Sequence, residues 1–277
     1  MLGSLLVGLD GSAFSKSAVE LAISWAVPNQ ASVTGITVLD EPTILAGEPV
    51  PLGGSAFKEH RDSMRLIDAQ KKIDSFCEDF ETRTRSANVA FRTVKESGVP
   101  YKDILKVADE HDLIVLGKKT FFHFEVDSHP CDTLNRVIKQ CSRPVVAVPE
   151  KIQGGNSVLI AYDGSIQASR SLQLFQLMSL GMKGTVNILT IDKNYDQARD
   201  ICRQAVHFLE HHKVKAEAHP VASTAFEADL VLEHCEKFNA GLVIMGAYGQ
   251  SVIKEFFFGS VTKRILEETK VPLFLYN

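Results

Sequence analysis

A chain of 277 residues, 45% of them hydrophobic, is long enough to bury one large core or two ordinary ones. Its net charge of −4 and the lack of any dense Lys/Arg block argue against nucleic acid or an acidic lipid surface as a partner. No apolar run approaches the ~18 residues a membrane span requires. Five scattered cysteines without a CxxC pair argue against a disulfide framework. The expectation is a soluble, cytoplasmic protein.

The chain opens on an apolar stretch, Met1 to Leu9, that lacks a basic leader and runs into Asp10-Gly11-Ser12. It reads as a first strand, not a signal peptide. Ala18, Leu21, Ala22 and Trp25 then recur at helical spacing over 15–26, and Pro28-Asn29-Gln30 should close that helix. Residues 32–39 are β-branched and strand-like. Proline and glycine crowd 41–56, which predicts an irregular insertion, followed by a long helix over about 57–85. Strand 89–94, helix 100–110, strand 112–116, helix 132–140 and strand 144–148 complete this half.

The pattern then starts again after Gly154-Gly155-Asn156, a short polar hinge. Strand 157–161 leads into Tyr162-Asp163-Gly164-Ser165, which matches Leu9-Asp10-Gly11-Ser12. Helix 167–180, strand 185–191, helix 195–212, strand 214–221, helix 226–238 and strand 242–245 follow. A last helix over 261–268 and strand 271–276 mirror the close of the first half. Asp112-Leu113-Ile114-Val115-Leu116-Gly117 pairs with Gly241-Leu242-Val243-Ile244-Met245-Gly246. A repeat of this length predicts two whole domains in tandem, 1–150 and 155–277, not a solenoid of short units. Strand–helix alternation with short apolar strands predicts parallel sheets covered by helices on both faces.

Chemistry concentrates where Met245-Gly246-Ala247-Tyr248-Gly249-Gln250 follows an apolar strand and Gly259-Ser260-Val261 opens a helix. A helix start offers unpaired N–H groups and a positive dipole end, and glycine lets backbone approach an anion. Asp-Gly-Ser after the first strand, with G-x2-G-x9-G-[ST] formed by Gly246, Gly249, Gly259 and Ser260, resembles the ATP-binding form of the universal stress protein family. The resemblance covers nearly the whole chain as two copies. It implies two tandem doubly wound five-stranded α/β sheets of Rossmann-like type, strand order 3-2-1-4-5.

The resemblance also implies ATP (or ADP or AMP) in the second copy. Asp163 would hold the adenine or ribose end, with Ala161 and Val221 bordering the base. Gly246, Gly249 and Gln250 would wrap the phosphates, and Gly259, Ser260 and Val261 would donate to them. The alternative is that the glycines only shape a turn and Asp163 caps the next helix. The first copy departs from the pattern: Thr120 stands at the second glycine and Cys131 where Gly-Ser should open the helix. A side chain there intrudes on phosphate space, so this copy is expected to bind no ATP.

His123, His129 and Cys131 lie within nine positions, near Asp10. A zinc site and a plain solvated loop are both open readings, since no CxxC or HxxxH spacing anchors the metal. His207, His211 and His212 should be exposed on their helix. Phe256-Phe257-Phe258 reads equally as a partner patch or as packing over the phosphate loop. The first functional reading is a non-enzymatic, ATP-binding stress or regulatory protein whose halves pair as a pseudo-dimer, with a homodimer as a further expectation. No clear general base or nucleophile is present, which leaves slow ATP hydrolysis at most. Two rivals stand beside it. An adenine-nucleotide hydrolase would carry Ser-Gly-Gly where Asp163-Gly164-Ser165 stands, and an interaction module would bind no nucleotide.

Overall fold

The computed structural model describes residues 1–45, 55–122, 132–180, 184–247 and 259–277. The first half runs β1 (Ser4–Gly8), α1 (Ala13–Asn29), β2 (Ser32–Leu39), α2 (Glu41–Ile44), α3 (Ser55–Ser86), β3 (Phe91–Ser97), α4 (Pro100–Ala108), β4 (Leu113–Gly117), α5 (Thr133–Gln140) and β5 (Val145–Val148). The second runs β6 (Ser157–Ala161), α6 (Ile166–Met178), β7 (Val186–Asp192), α7 (Tyr195–His211), β8 (Ala216–Ala222), α8 (Glu227–Lys237), β9 (Ala240–Gly246), α9 (Ser260–Glu268) and β10 (Leu273–Tyr276).

Each half pairs its strands in parallel in the order third, second, first, fourth, fifth. The expectation of two separate five-stranded sheets needs one correction. The fifth strands pair antiparallel, with Leu273 opposite Ala147, Phe274 opposite Val146 and Leu275 opposite Val145. The result is one ten-stranded sheet, β3-β2-β1-β4-β5-β10-β9-β6-β7-β8. The six seam residues are buried, and alone either fifth strand would expose unpaired backbone along an apolar edge. Joining the two removes both edges at once.

Alternation along the strands divides the core. Leu5 and Val7 point to one face, with α1, α3, α6 and α7, and Leu6 points to the other, with α4, α5, α8 and α9. Both cores cross the seam: Val146 and Val148 share the first with Val158, Tyr162 and Phe274, and Val145 and Ala147 share the second with Leu159, Leu273 and Leu275. The two outermost strands are built differently. β3 alternates exposed Arg92, Lys95 and Ser97 with half-buried residues, and β8 carries Pro220 and exposed Glu217. Charges and proline blunt such edges against further pairing.

Four boundaries differ from the sequence reading. α1 continues through Pro28, which sits in the last turn, and stops at Gln30, whose φ of 54° lets its amide reach the Ala26 and Val27 carbonyls. β3 and β8 lie two residues or so later than expected, because at a sheet edge only one side of the strand is covered. Part of the insertion is helical, since Asp40 accepts from the Thr43 amide at 3.1 Å and starts α2. The linker is no loose hinge either. The Gln153 amide donates to Lys270 O and the Gly155 amide to Asn239 O, each at 3.0 Å. Gly154 adopts φ +98°, and a Cβ there would fall 2.0 Å from Ala240 O, so only glycine fits. Among the described residues no helix is long and apolar enough to cross a membrane.

Candidate functional site

The register of the second half places its candidate residues on one edge of the sheet. Ala161 ends β6 opposite Met245 of β9, so Asp163 and Ala247 follow at neighbouring strand tips. Ala161 and Val221 are half-buried against the second core, Val221 one residue before the end of β8. Gly259 is the N-cap of α9, with Ser260 exposed and Val261 half-buried behind it. Among the described residues no side chain caps that helix start, and uncapped first amides are open to a ligand or solvent. Gly249 and Gln250, together with Phe256-Phe257-Phe258, lie outside the described residues.

The two Asp-Gly-Ser turns have the same local chemistry. In each, the aspartate Oδ1 accepts from the serine amide at 2.9 Å. In each, glycine sits at φ +75° and serine caps the next helix, Ser12 accepting from the Ser15 amide and Ser165 from the Ala168 amide. The cap is therefore Ser165, and Asp163 builds the turn leading to it.

What surrounds the turns differs. A Cβ on Gly11 would fall 2.1 Å from the Phe76 ring, because α3 lies over the first turn. On Gly164 the nearest atom would be 3.5 Å away, on Ile201. Asp10 is buried, and its Oδ2 accepts from the Phe121 amide at 2.6 Å, so the chain after β4 folds back onto it. Burial raises the Asp10 pKa, against the hydrogen bonds from Ser12 and Phe121 that lower it. Phe122 is fully buried and reaches within 3.6 Å of the Cβ position at Gly8. The first copy fills its own cleft. Its helix start is also altered, for Asp132 is the N-cap of α5 and pairs with Arg136 at 2.9 Å. A carboxylate at that point repels an anion.

The glycines divide by cause. A Cβ on Gly246 would meet the Ala168 amide nitrogen and Gln167 Cβ at 2.8 Å, and one on Gly117 would meet Phe14 Cβ at 2.6 Å. Helix–strand packing requires both, with or without a ligand. A Cβ on Gly259 meets nothing within 4 Å among the described residues. Packing among the described residues does not explain that glycine. Thr262, one turn in, is buried and donates to Ala247 O at 3.0 Å, tying α9 to the tip of β9.

One residue near the seam escaped the sequence reading. Lys118 follows β4, and its Nζ donates to Thr269 O in the other half. Burial pulls its pKa down to about 7. No spacing in the sequence could announce a partner 151 residues away. Phe121 and Phe122, by contrast, left a visible sign: two aromatics stand where the second copy has its glycine loop.

His123, His129 and Cys131 lie outside the described residues, and among the described residues no cluster of three or more His, Cys, Asp or Glu is placed to hold a metal. His207, His211 and His212 are exposed.

Comparison with known proteins agrees with this architecture. A universal stress protein from Archaeoglobus fulgidus DSM 4304 superposes with a TM-score of 0.67 at 16% identity, covering 99% of this chain and 98% of that one. A putative universal stress protein from Pseudomonas aeruginosa UCBPP-PA14 gives 0.56 at 13% identity over 99% and 93%. Universal stress protein Slr1230 of Synechocystis is 28% identical over 170 residues, which span 61% of this chain and 58% of that relative. The sequence model of the universal stress protein family matches twice, at residues 1–149 and 156–277. The chain belongs to the universal stress protein family, as two copies in tandem.

Proposed function

We propose that the protein is an ATP-binding stress-response or regulatory protein whose nucleotide sits in the second half only. The observation that carries this reading is the open start of α9. Among the described residues its amides have no side-chain cap, and its N-cap is a glycine that their packing does not require. Phosphate oxygens suit such a place, because backbone N–H groups and the dipole end both favour negative charge. Gly259, Ser260 and Val261 would hold the phosphates, with the Gly246–Gln250 segment on the other side. Asp163, at the neighbouring strand tip, would accept from ribose hydroxyls, and Ala161 and Val221 would border the base. The Phe76 ring over Gly11, the Phe121 amide bound to Asp10 and the buried Phe122 support a first half without nucleotide. Binding and response to binding, not turnover, is the role that fits.

A charge-assisted hydrogen bond contributes about 1.5–3 kcal/mol. Asp163→Ala is therefore expected to weaken ATP binding roughly tenfold or more in calorimetry. Asp163→Asn separates charge from the turn, since an amide oxygen still accepts from the Ser165 amide. Unchanged affinity in both variants, or a native protein that carries and binds no adenine nucleotide, would overturn the reading.

A further inference from the structure

α9 is gripped from two sides. Its first turn is the proposed phosphate seat, and its C-cap residue, Thr269, is held by the other half of the molecule. The Thr269 amide still donates to Ile265 O at 2.9 Å, but φ −63° and ψ 137° take Thr269 out of the helix, so its carbonyl has no partner in a following turn. That carbonyl accepts from Lys118 Nζ. Helix C-termini carry partial negative charge, and a lysine ammonium is the group that suits them.

The internal symmetry is broken at this point. Lys118 and Ala247 are counterparts: each follows the fourth strand of its half, and each amide donates at 2.8 Å to the fifth strand, to Val148 O and Tyr276 O respectively. Only the first half places a long cation there, and among the described residues it donates to the C-cap carbonyl of α9. Desolvation works against that amine, and a methionine would fill the same space without the cost. Cys235 on α8 is a buried thiol whose pKa burial raises, against Thr269 and Lys118, which lower it. No carboxylate among the described residues makes an ion pair with Lys118 that would explain its placement.

We propose that Lys118 is a positioning residue for the nucleotide site of the second half, anchoring α9 by its C-terminal end so that the amides of Gly259–Val261 stay aimed at the phosphates. The first half, empty itself, thereby sets the affinity of the second. This rests on the reading of the second half as the nucleotide site.

The test uses the full chain at about pH 6, below the lowered pKa of Lys118, so that the native side chain carries its charge. ATP affinity is measured by calorimetry, and amide hydrogen exchange is followed over α9, for the native protein, Lys118→Met, Lys118→Arg and Asp163→Ala. Lys118→Met is expected to bind ATP about three- to fivefold more weakly, the range a helix-terminus charge supports, with faster exchange at α9. Lys118→Arg, which keeps the cation, is expected to recover most of both. Native affinity in Lys118→Met beside a weakened Asp163→Ala would overturn the anchoring and leave the nucleotide site standing. Equal losses in the Met and Arg variants would also overturn it, because packing and not charge would then be the cause. A native chain that binds no ATP would overturn both.

Discussion

A methyl group added at Gly246 would lie 2.8 Å from the Ala168 amide nitrogen, whereas one added at Gly259 meets nothing within 4 Å among the described residues. Two glycines of one motif thus answer to different constraints, and substitution separates them. Gly246→Ala is expected to destabilise the fold by about 1–3 kcal/mol in chemical denaturation, as overpacking does. Gly259→Ala, at φ −53°, should stay within about 0.5 kcal/mol of the native stability yet weaken ATP binding in calorimetry. Loss of stability at Gly259 with binding unchanged would reverse the assignment. Lys118 offers a second residue-scale prediction, through linkage. The unfolded chain keeps that proton to about 10.5, while the folded chain releases it at about 7. Across that window the unfolded state binds more protons, so this group makes stability rise with pH from 7 to 10.5. Lys118→Met is expected to flatten that rise and to be the more stable protein below pH 7. Parallel denaturation curves for the two proteins at every pH would contradict it.

Elements were legible where burial is two-sided. β1, β4, β6 and β9 lie inside the sheet, and their unbroken apolar runs matched the strands to within about two residues. β3 and β8 were placed too early because an edge strand covers only one side and its pattern is weak. Of the candidate site, the positions of Asp163 and Gly246 at strand tips and of Gly259 at a helix start could be read from spacing, since motif and strand–helix punctuation coincide there. The filling of the first cleft was only half legible: Thr120 and Cys131 show what is missing, but nothing in α3 says that Phe76 will cover Gly11. β10 carries a prediction of its own. Leu273, Phe274 and Leu275 are fully buried and β5 covers their outer side. A fragment of 155–277 would present that strand as an open apolar edge. It is expected to self-associate in sedimentation while the whole chain does not do so by this strand. A strictly monomeric fragment would show that the seam is dispensable.

On the scale of the whole molecule the two halves form one sheet and share the cores on both of its faces, which the internal repeat alone did not disclose. A repeat says that two similar units exist; antiparallel pairing of their last strands depends on complementary edges, and a periodicity pattern carries no partner. The seam unites a half whose cleft is filled with a half whose helix start is open, and Lys118 runs between them. The linker adds something to this arrangement. Residues 149–156 are laid along the second half by the Gln153 and Gly155 amides, so each half meets its counterpart at a fixed local concentration. Two separate single-copy chains would part on dilution and would have to remain identical to fit each other. Here dilution cannot part them, and the two copies need not stay identical to keep fitting each other.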